Sequence, residues 1–313
     1  MSKKMSSQTI IEKFVTWQCS IRNLSESSVK RYRVVCTKWG AFLKERNVEH
    51  ISRSSALDLQ AYIDKRQHED HVTNSTVKHD LFIIKSLERY MVNFCGGATC
   101  PTRHIPKFMS TPAKEKSSLA VKEVFAMLET CDTTDPTGHR NYIIIALLWS
   151  TGLRTSELIA LNWKDIDLEN STLLVRKGKG RKQRQLFLCA RMLDDLNHYR
   201  QSLVTSNRMP LFCRYGTTKR KNKSVRISSN TLCTIIRDTA NSGGIKEKVT
   251  PLTLRHTFAT HMYEAGVDIM DIKEMMGHSD QCETTVYIHV SLNAIKSLLN
   301  EQAQKVFIHK EGR

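Results

Sequence analysis

No apolar run in this 313-residue chain approaches the ~18 residues that a membrane-spanning helix needs. The longest, Tyr142–Trp149, suits a buried helix instead. The N-terminus, MSKKMSSQTI, holds no apolar signal-peptide region. Glycine and proline are scarce, at 13 and 6, which excludes collagen-like and low-complexity chains. The 9 cysteines include no Cys-x-x-Cys pair. Cys95, Cys100 and His104 form the one zinc-like cluster, and it lacks a second ligand pair at suitable spacing. The expectation is a reduced, cytoplasmic protein with no metal, no cofactor and no membrane partner.

Acidic residues are also in short supply. Lys and Arg number 48 against 31 Asp and Glu, a formal net charge of +17. Such an excess points to nucleic acid only where it is clustered. Between Glu169 and Asp238 the only acids are Asp194 and Asp195, and two basic runs, Arg176–Arg184 and Lys219–Arg226, fall in that span. The charge is therefore clustered, and a phosphate-facing surface outweighs a merely solvated one.

At roughly 100–200 residues per domain, the length suggests two domains. Helical spacing recurs over residues 7–20, with Ile10, Ile11, Phe14, Val15 and Trp17. A serine in Leu24–Ser28 can cap the next helix, which carries Val29, Tyr32, Val35, Cys36, Trp39, Phe42 and Leu43. Lys30, Arg31, Arg33 and Lys38 lie on its other side. Residues 54–67 and 73–94 give two more helices. These make a helical domain over 5–95. Residues 96–117, rich in Gly, Pro and Lys, read as a linker. A second domain spans 118–290. Its helices are a segment starting near Ser118, a centre at 141–150, a short one from 156 and three more at 230–240, 256–265 and 269–276. Ser171–Val175 and Gln185–Leu188 flank a Gly-containing basic stretch and predict a β-hairpin. The tail, 291–313, carries Leu292, Ile295, Leu298, Leu299, Ala303 and Val306 at helical spacing. The fold class predicted is mainly α with a small β-sheet.

Three segments carry the chemistry. Thr151-Gly-Leu-Arg-Thr-Ser-Glu-Leu158 places Arg154 just after a buried helix. Leu252-Thr-Leu-Arg255 leads into His-Thr-Phe-Ala-Thr-His261 and places Arg255 at the start of another. Gly277-His278 is followed nine residues later by Tyr287. With Gly178-Lys179-Gly180 on the hairpin turn, this ordered set resembles the tyrosine recombinase (phage integrase) family, from about Ser118 to the C-terminus. The N-terminal helices resemble that family's core-binding domain, and the compact architecture is similar to its Xer-type members.

The resemblance implies a site-specific recombinase that cleaves and rejoins DNA strands through a 3′-phosphotyrosyl intermediate, for integration and excision of a mobile element or Xer-like recombination. It implies a role for each matching residue. Arg154 and Arg255 would grip the scissile phosphate, with Glu157 the acid beside the first arginine. Lys179 would be the turn lysine, His278 the motif histidine and Tyr287 the nucleophile. Lys177, Arg181, Lys182 and Arg184 are expected as phosphate contacts that position the duplex without reading bases. The implied partner is double-stranded DNA. Exchange between two duplexes needs four cleavages, so a homotetramer on paired sites is expected, with possible accessory DNA-bending proteins.

The residue types suit the chemistry independently. A guanidinium is planar, permanently charged and able to bind two phosphate oxygens. Two of them can stabilise charge that develops during attack. A phenol, with a reference pKa of about 10, is a weak nucleophile that nearby cations activate. One position departs from the family. Its second arginine box usually reads His-x-x-Arg or Lys-x-x-Arg, and here the first place is Leu252, which can neither donate nor accept. His256 is the nearest substitute and reads as a packing residue. Two rivals follow: an impaired, DNA-binding accessory protein, and a type IB topoisomerase-like strand cutter.

Overall fold

Residues 5–22, 24–96, 101–104, 118–176, 183–203, 209–214 and 225–277 are described by a computed structural model of the chain. The chain divides into two units, Met1–Ala113 and Lys114–Arg313.

The first unit is built from four helices whose starts are set by polar caps. Helix α1 (Ser7–Arg22) buries Ile10, Ile11, Phe14 and Val15. Helix α2 (Glu26–Glu45) begins at Ser25, whose hydroxyl accepts the Ser28 N–H. Its stripe of Tyr32, Val35, Cys36, Trp39, Phe42 and Leu43 is buried, and Lys30, Arg31, Arg33 and Lys38 are exposed. Helix α3 (Ala56–Asp64) opens on a capping box between Ser55 and Asp58. It stops short of the predicted residue 67, because Lys65–Glu69 form a π turn. That wider turn carries the buried Arg66, which donates to Asp80 and Asp70. Helix α4 (Asn74–Phe94) starts at Thr73. Phe14, Trp39, Leu59, Ile83, Ile84 and Leu87 are the innermost side chains.

The second unit follows the predicted order. Helix α5 (Val121–Glu129) precedes α6 (Pro136–Thr151). Asp135 caps α6 through the N–H groups of Thr137 and Gly138, and Pro136 fills the first helical position. Ile143, Ile144, Ile145, Leu147 and Leu148 have no exposure, so α6 is the centre of this core, packed by α5, α8 and α10. It ends at Gly152, in the left-handed region with φ +59°. A Cβ there would lie 2.4 Å from the Phe258 ring, so conformation and contact both require glycine. Helix α7 (Thr155–Ala160) follows.

Strands β1 (Ile166–Asp167), β2 (Thr172–Val175) and β3 (Arg184–Phe187) form one antiparallel sheet in the order β1-β2-β3. In the predicted hairpin Val175 pairs with Arg184 and Leu173 with Leu186. The two-residue strand β1 goes beyond the prediction. So does α8 (Ala190–Gln201), which buries Met192, Leu196 and Tyr199. Helices α9 (Ser229–Ser242), α10 (Pro251–Glu264) and α11 (Ile269–Met275) complete the described unit. Thr250 and Pro251 start α10 earlier than predicted, so Arg255 stands in its second turn. Helix α10 also holds Leu119 by both backbone groups: the Leu119 N–H donates to Thr257 Oγ1 at 3.0 Å, and its carbonyl accepts from His261 Nε2 at 2.9 Å.

Candidate active site

The buried end of α6, the start of α7, strand β3 and the second turn of α10 bring three arginines and one glutamate together. Arg154 is the N-cap residue of α7, with extended backbone angles. Glu157, three residues on, reaches back so that Oε2 accepts the Arg154 N–H at 2.8 Å. Its Oε1 accepts from Arg154 Nη1 at 2.8 Å. Arg184 lays its fork on the same carboxylate, Nη1 to Oε1 at 2.9 Å and Nη2 to Oε2 at 2.8 Å. Arg255, 5 % exposed, donates from Nη1 to the Gly152 carbonyl at 2.5 Å.

All three guanidiniums converge on the C-terminal end of α11. Arg184 Nε donates to the Met275 carbonyl at 2.8 Å, Arg255 Nη2 to Met276 at 2.7 Å and Arg154 Nη2 to Gly277 at 2.7 Å. Successive carbonyls at a helix end carry partial negative charge and lack intrahelical partners, so cations stabilise them. Gly277 has φ +67°, and a Cβ on it would lie 2.9 Å from Arg184 Nη1 and 3.3 Å from Arg154 Nη1. Glycine is what lets the two guanidiniums close on that turn.

The charges follow from this packing. Burial alone would raise the Glu157 carboxyl. The bonds from Arg184, the Arg154 amide and the Arg154 guanidinium outweigh it, and the group is held at about 2. Burial and the neighbouring Arg154 charge lower Arg255 to about 10. It remains a cation at neutral pH. One carboxylate against three guanidiniums leaves a concentrated positive site, which suits an anion such as a phosphodiester.

Of the residues singled out in the sequence, Arg154, Glu157 and Arg255 are brought together. Lys177, Lys179, Arg181, Lys182, His278 and Tyr287 lie outside the described residues, as does the tail from 291; Cys100 lies outside them too. Arg184, grouped in the sequence with the basic turn, faces inward into the cluster, its side chain 14 % exposed. Strand alternation carried that signal: Arg184 and the buried Leu186 share one face of β3. Leu252, on the first turn of α10, is 56 % exposed. His256 is half-buried. Among the described residues no helix is long and apolar enough to cross a membrane.

Comparison with known proteins agrees with this architecture. Residues 117–293 match the model of the phage integrase family, and residues 11–93 match the phage integrase N-terminal SAM-like domain. Tyrosine recombinase XerD of Staphylococcus saprophyticus is 29 % identical over 301 residues, covering 94 % of this chain and 98 % of that protein. XerD of Staphylococcus epidermidis is 30 % identical with the same coverage. Among solved structures, the XerH site-specific recombinase bound to its difH substrate has a TM-score of 0.69 at 18 % identity, covering 97 % of each chain. A lambda integrase fragment bound to a core site has a TM-score of 0.67 at 14 % identity, covering 90 % of this chain and all (100 %) of that one. These two share the fold. The chain belongs to the phage integrase family and is a tyrosine-type site-specific recombinase, an enzyme that cuts and rejoins DNA strands.

Proposed function

We propose that this recombinase grips a DNA phosphodiester between Arg154 and Arg255 and cleaves it with Tyr287. The observation that carries the reading is the meeting of Arg154 and Arg255 on adjacent carbonyls, Gly277 and Met276, one residue before His278. Their guanidiniums stabilise the charge that builds on the phosphate oxygens. The Tyr287 oxygen bonds to phosphorus as its proton passes to solvent water. The bond from phosphorus to the 5′ oxygen breaks, and Lys179 on the hairpin turn protonates that oxygen. The covalent link conserves the phosphodiester, and the reverse attack by a 5′-hydroxyl rejoins the strands. His278 contributes a further contact to the same phosphate.

Double-stranded DNA is the partner in this reading, held by the basic turn with Lys177, Arg181 and Lys182 and by the basic face of α2. The 5–95 and 118–290 domains, joined by the 96–117 linker, both contact the duplex, and the 291–313 tail links protomers in a tetramer on paired sites. The setting is the cytoplasm, and the task is integration and excision of a mobile element or Xer-like recombination.

Nicked duplexes made from the DNA flanking the protein's own gene test the reading. A nick beside the cut site lets the short 5′-hydroxyl fragment diffuse away and traps the covalent complex. A slower band on a denaturing gel, absent with Tyr287→Phe, is expected. A protein that binds these duplexes in a salt-sensitive way and yields the same products with Tyr287→Phe refutes it.

A further inference from the structure

We propose that Arg184 is a positioning residue of the recombination site, one that saturates Glu157 and fixes the end of α11 so that Arg154 keeps its Nη2 on the Gly277 carbonyl, rather than a DNA contact; the proposal rests on Arg154 gripping the phosphate. The geometry is specific. A carboxylate offers about four lone-pair positions. Glu157 uses them on Arg154 N–H, Arg154 Nη1, Arg184 Nη1 and Arg184 Nη2. With Arg184 bound across both oxygens, Arg154 reaches the carboxylate through Nη1 alone, and its Nη2 turns to Gly277. Remove Arg184, and Arg154 is free to close on Glu157 as a two-bond fork, the strongest arrangement open to that pair. Its Nη2 then leaves the Gly277 carbonyl.

Arg184 Nε adds a second restraint, because it holds the Met275 carbonyl two residues before Gly277. The turn that leads to His278 is thus tied to β3. Strand β3 is also one foot of the basic turn that carries Lys179. The other foot is tied as well: Arg176, next after β2, pairs with the buried Asp165. Exposure separates the two arginines. Arg176 is 42 % exposed at the side chain and Arg184 14 %. A duplex phosphate would have to take Arg184 away from both a buried carboxylate and a helix-end carbonyl.

The test compares the full-length protein with Arg184→Lys and Arg184→Gln in three readouts. The first is the cleavage rate on nicked duplex. The second is the salt dependence of duplex binding. The third is the acid limb of stability, set by the groups that face Glu157: Arg154, Arg184 and Arg255. Both variants are expected to cleave about 100-fold more slowly, the scale of a displaced catalytic group. Lysine keeps the charge and loses the fork, so it should not rescue. The salt slope is expected to stay unchanged, and the acid loss of stability to become smaller and to end at a higher pH, since Glu157 loses bonds that hold its proton off and its folded value moves up toward the unfolded one.

A slope shallower by about 0.9 in Arg184→Gln, restored with cleavage in Arg184→Lys, would make Arg184 a phosphate contact and overturn the proposal. Unchanged cleavage in both variants would also overturn it. Should both variants fail to fold, Arg184→Gln with Glu157→Gln removes the buried charge together with its partner. There Arg154 has no carboxylate to close on, and the proposal expects slow cleavage through the lost tie to the Met275 carbonyl, at an unchanged salt slope. If wild-type protein does not cleave, the reading of the site itself fails, and slope and acid limb still decide whether Arg184 meets phosphate or Glu157.

Discussion

Replacing Glu157 by glutamine keeps the shape of the side chain and removes its charge. The carboxyl sits at about 2 in the folded chain against an ordinary 4.5. At about 1.4 kcal/mol per pH unit, that difference stabilises the fold by about 3 kcal/mol at neutral pH. The side chain is 1 % exposed, so solvent screening takes little from the figure. Because the folded value lies below the unfolded one, the contribution is fully present above about pH 4.5 and fades as the pH falls toward about 2. The gap between wild type and Glu157→Gln should therefore be about 3 kcal/mol at pH 7, about 2 at pH 3.5 and about 1 at pH 2.5. Amide hydrogen exchange at Ile143, Ile144, Leu147 and Leu148 reads it, since these innermost α6 residues exchange only on global opening of their unit. A gap under about 1 kcal/mol at neutral pH, or one that does not shrink with acid, would refute the view that Glu157 is a buried anion held by Arg154 and Arg184.

Two further substitutions probe the frame around the site. Gly152→Ala puts a methyl 2.4 Å from the Phe258 ring on a left-handed residue whose carbonyl accepts from Arg255. It should destabilise by about 2–4 kcal/mol in thermal unfolding and lower cleavage; a loss under about 1 kcal/mol would contradict the fit. Leu252→His, at a 56 % exposed position, should leave stability within about 0.5 kcal/mol and raise the cleavage rate modestly. A fall of about tenfold or more would show that the site is rebuilt around Leu252.

Much of the second unit was legible because its signals are local. Gly152 announces the end of α6 and an apolar run buried on every side its central place, whereas its start at Asp135 and Pro136, ahead of the predicted residue 141, was passed over. The hairpin follows from two apolar runs around a basic stretch, and Arg154 and Arg255 were found through the ordered motifs. What escaped was non-local or too short. Strand β1 has two residues, below any periodic signal, and exists because Ile166 pairs with Leu173. Helix α8 does carry a stripe, Met192, Leu196 and Tyr199, but its polar remainder hid it. Arg184 read as one more charge in a basic run. Only the register of β3, with Leu186 inward, turns it toward Glu157 and Met275.

In the proposed reaction Tyr287 becomes bonded to a 3′ phosphate while Arg154 and Arg255 hold the site. Mass spectrometry of the trapped complex tests it most directly, after trypsin and nuclease digestion. The tryptic peptide 274–296, EMMGHSDQCETTVYIHVSLNAIK, contains a single tyrosine, and fragmenting it separates attachment at Tyr287 from attachment at its serines, threonines or histidines. The predicted result is that peptide carrying a nucleotide through its 3′ phosphate on Tyr287. Attachment through a 5′ phosphate, or at any other residue, would contradict the account.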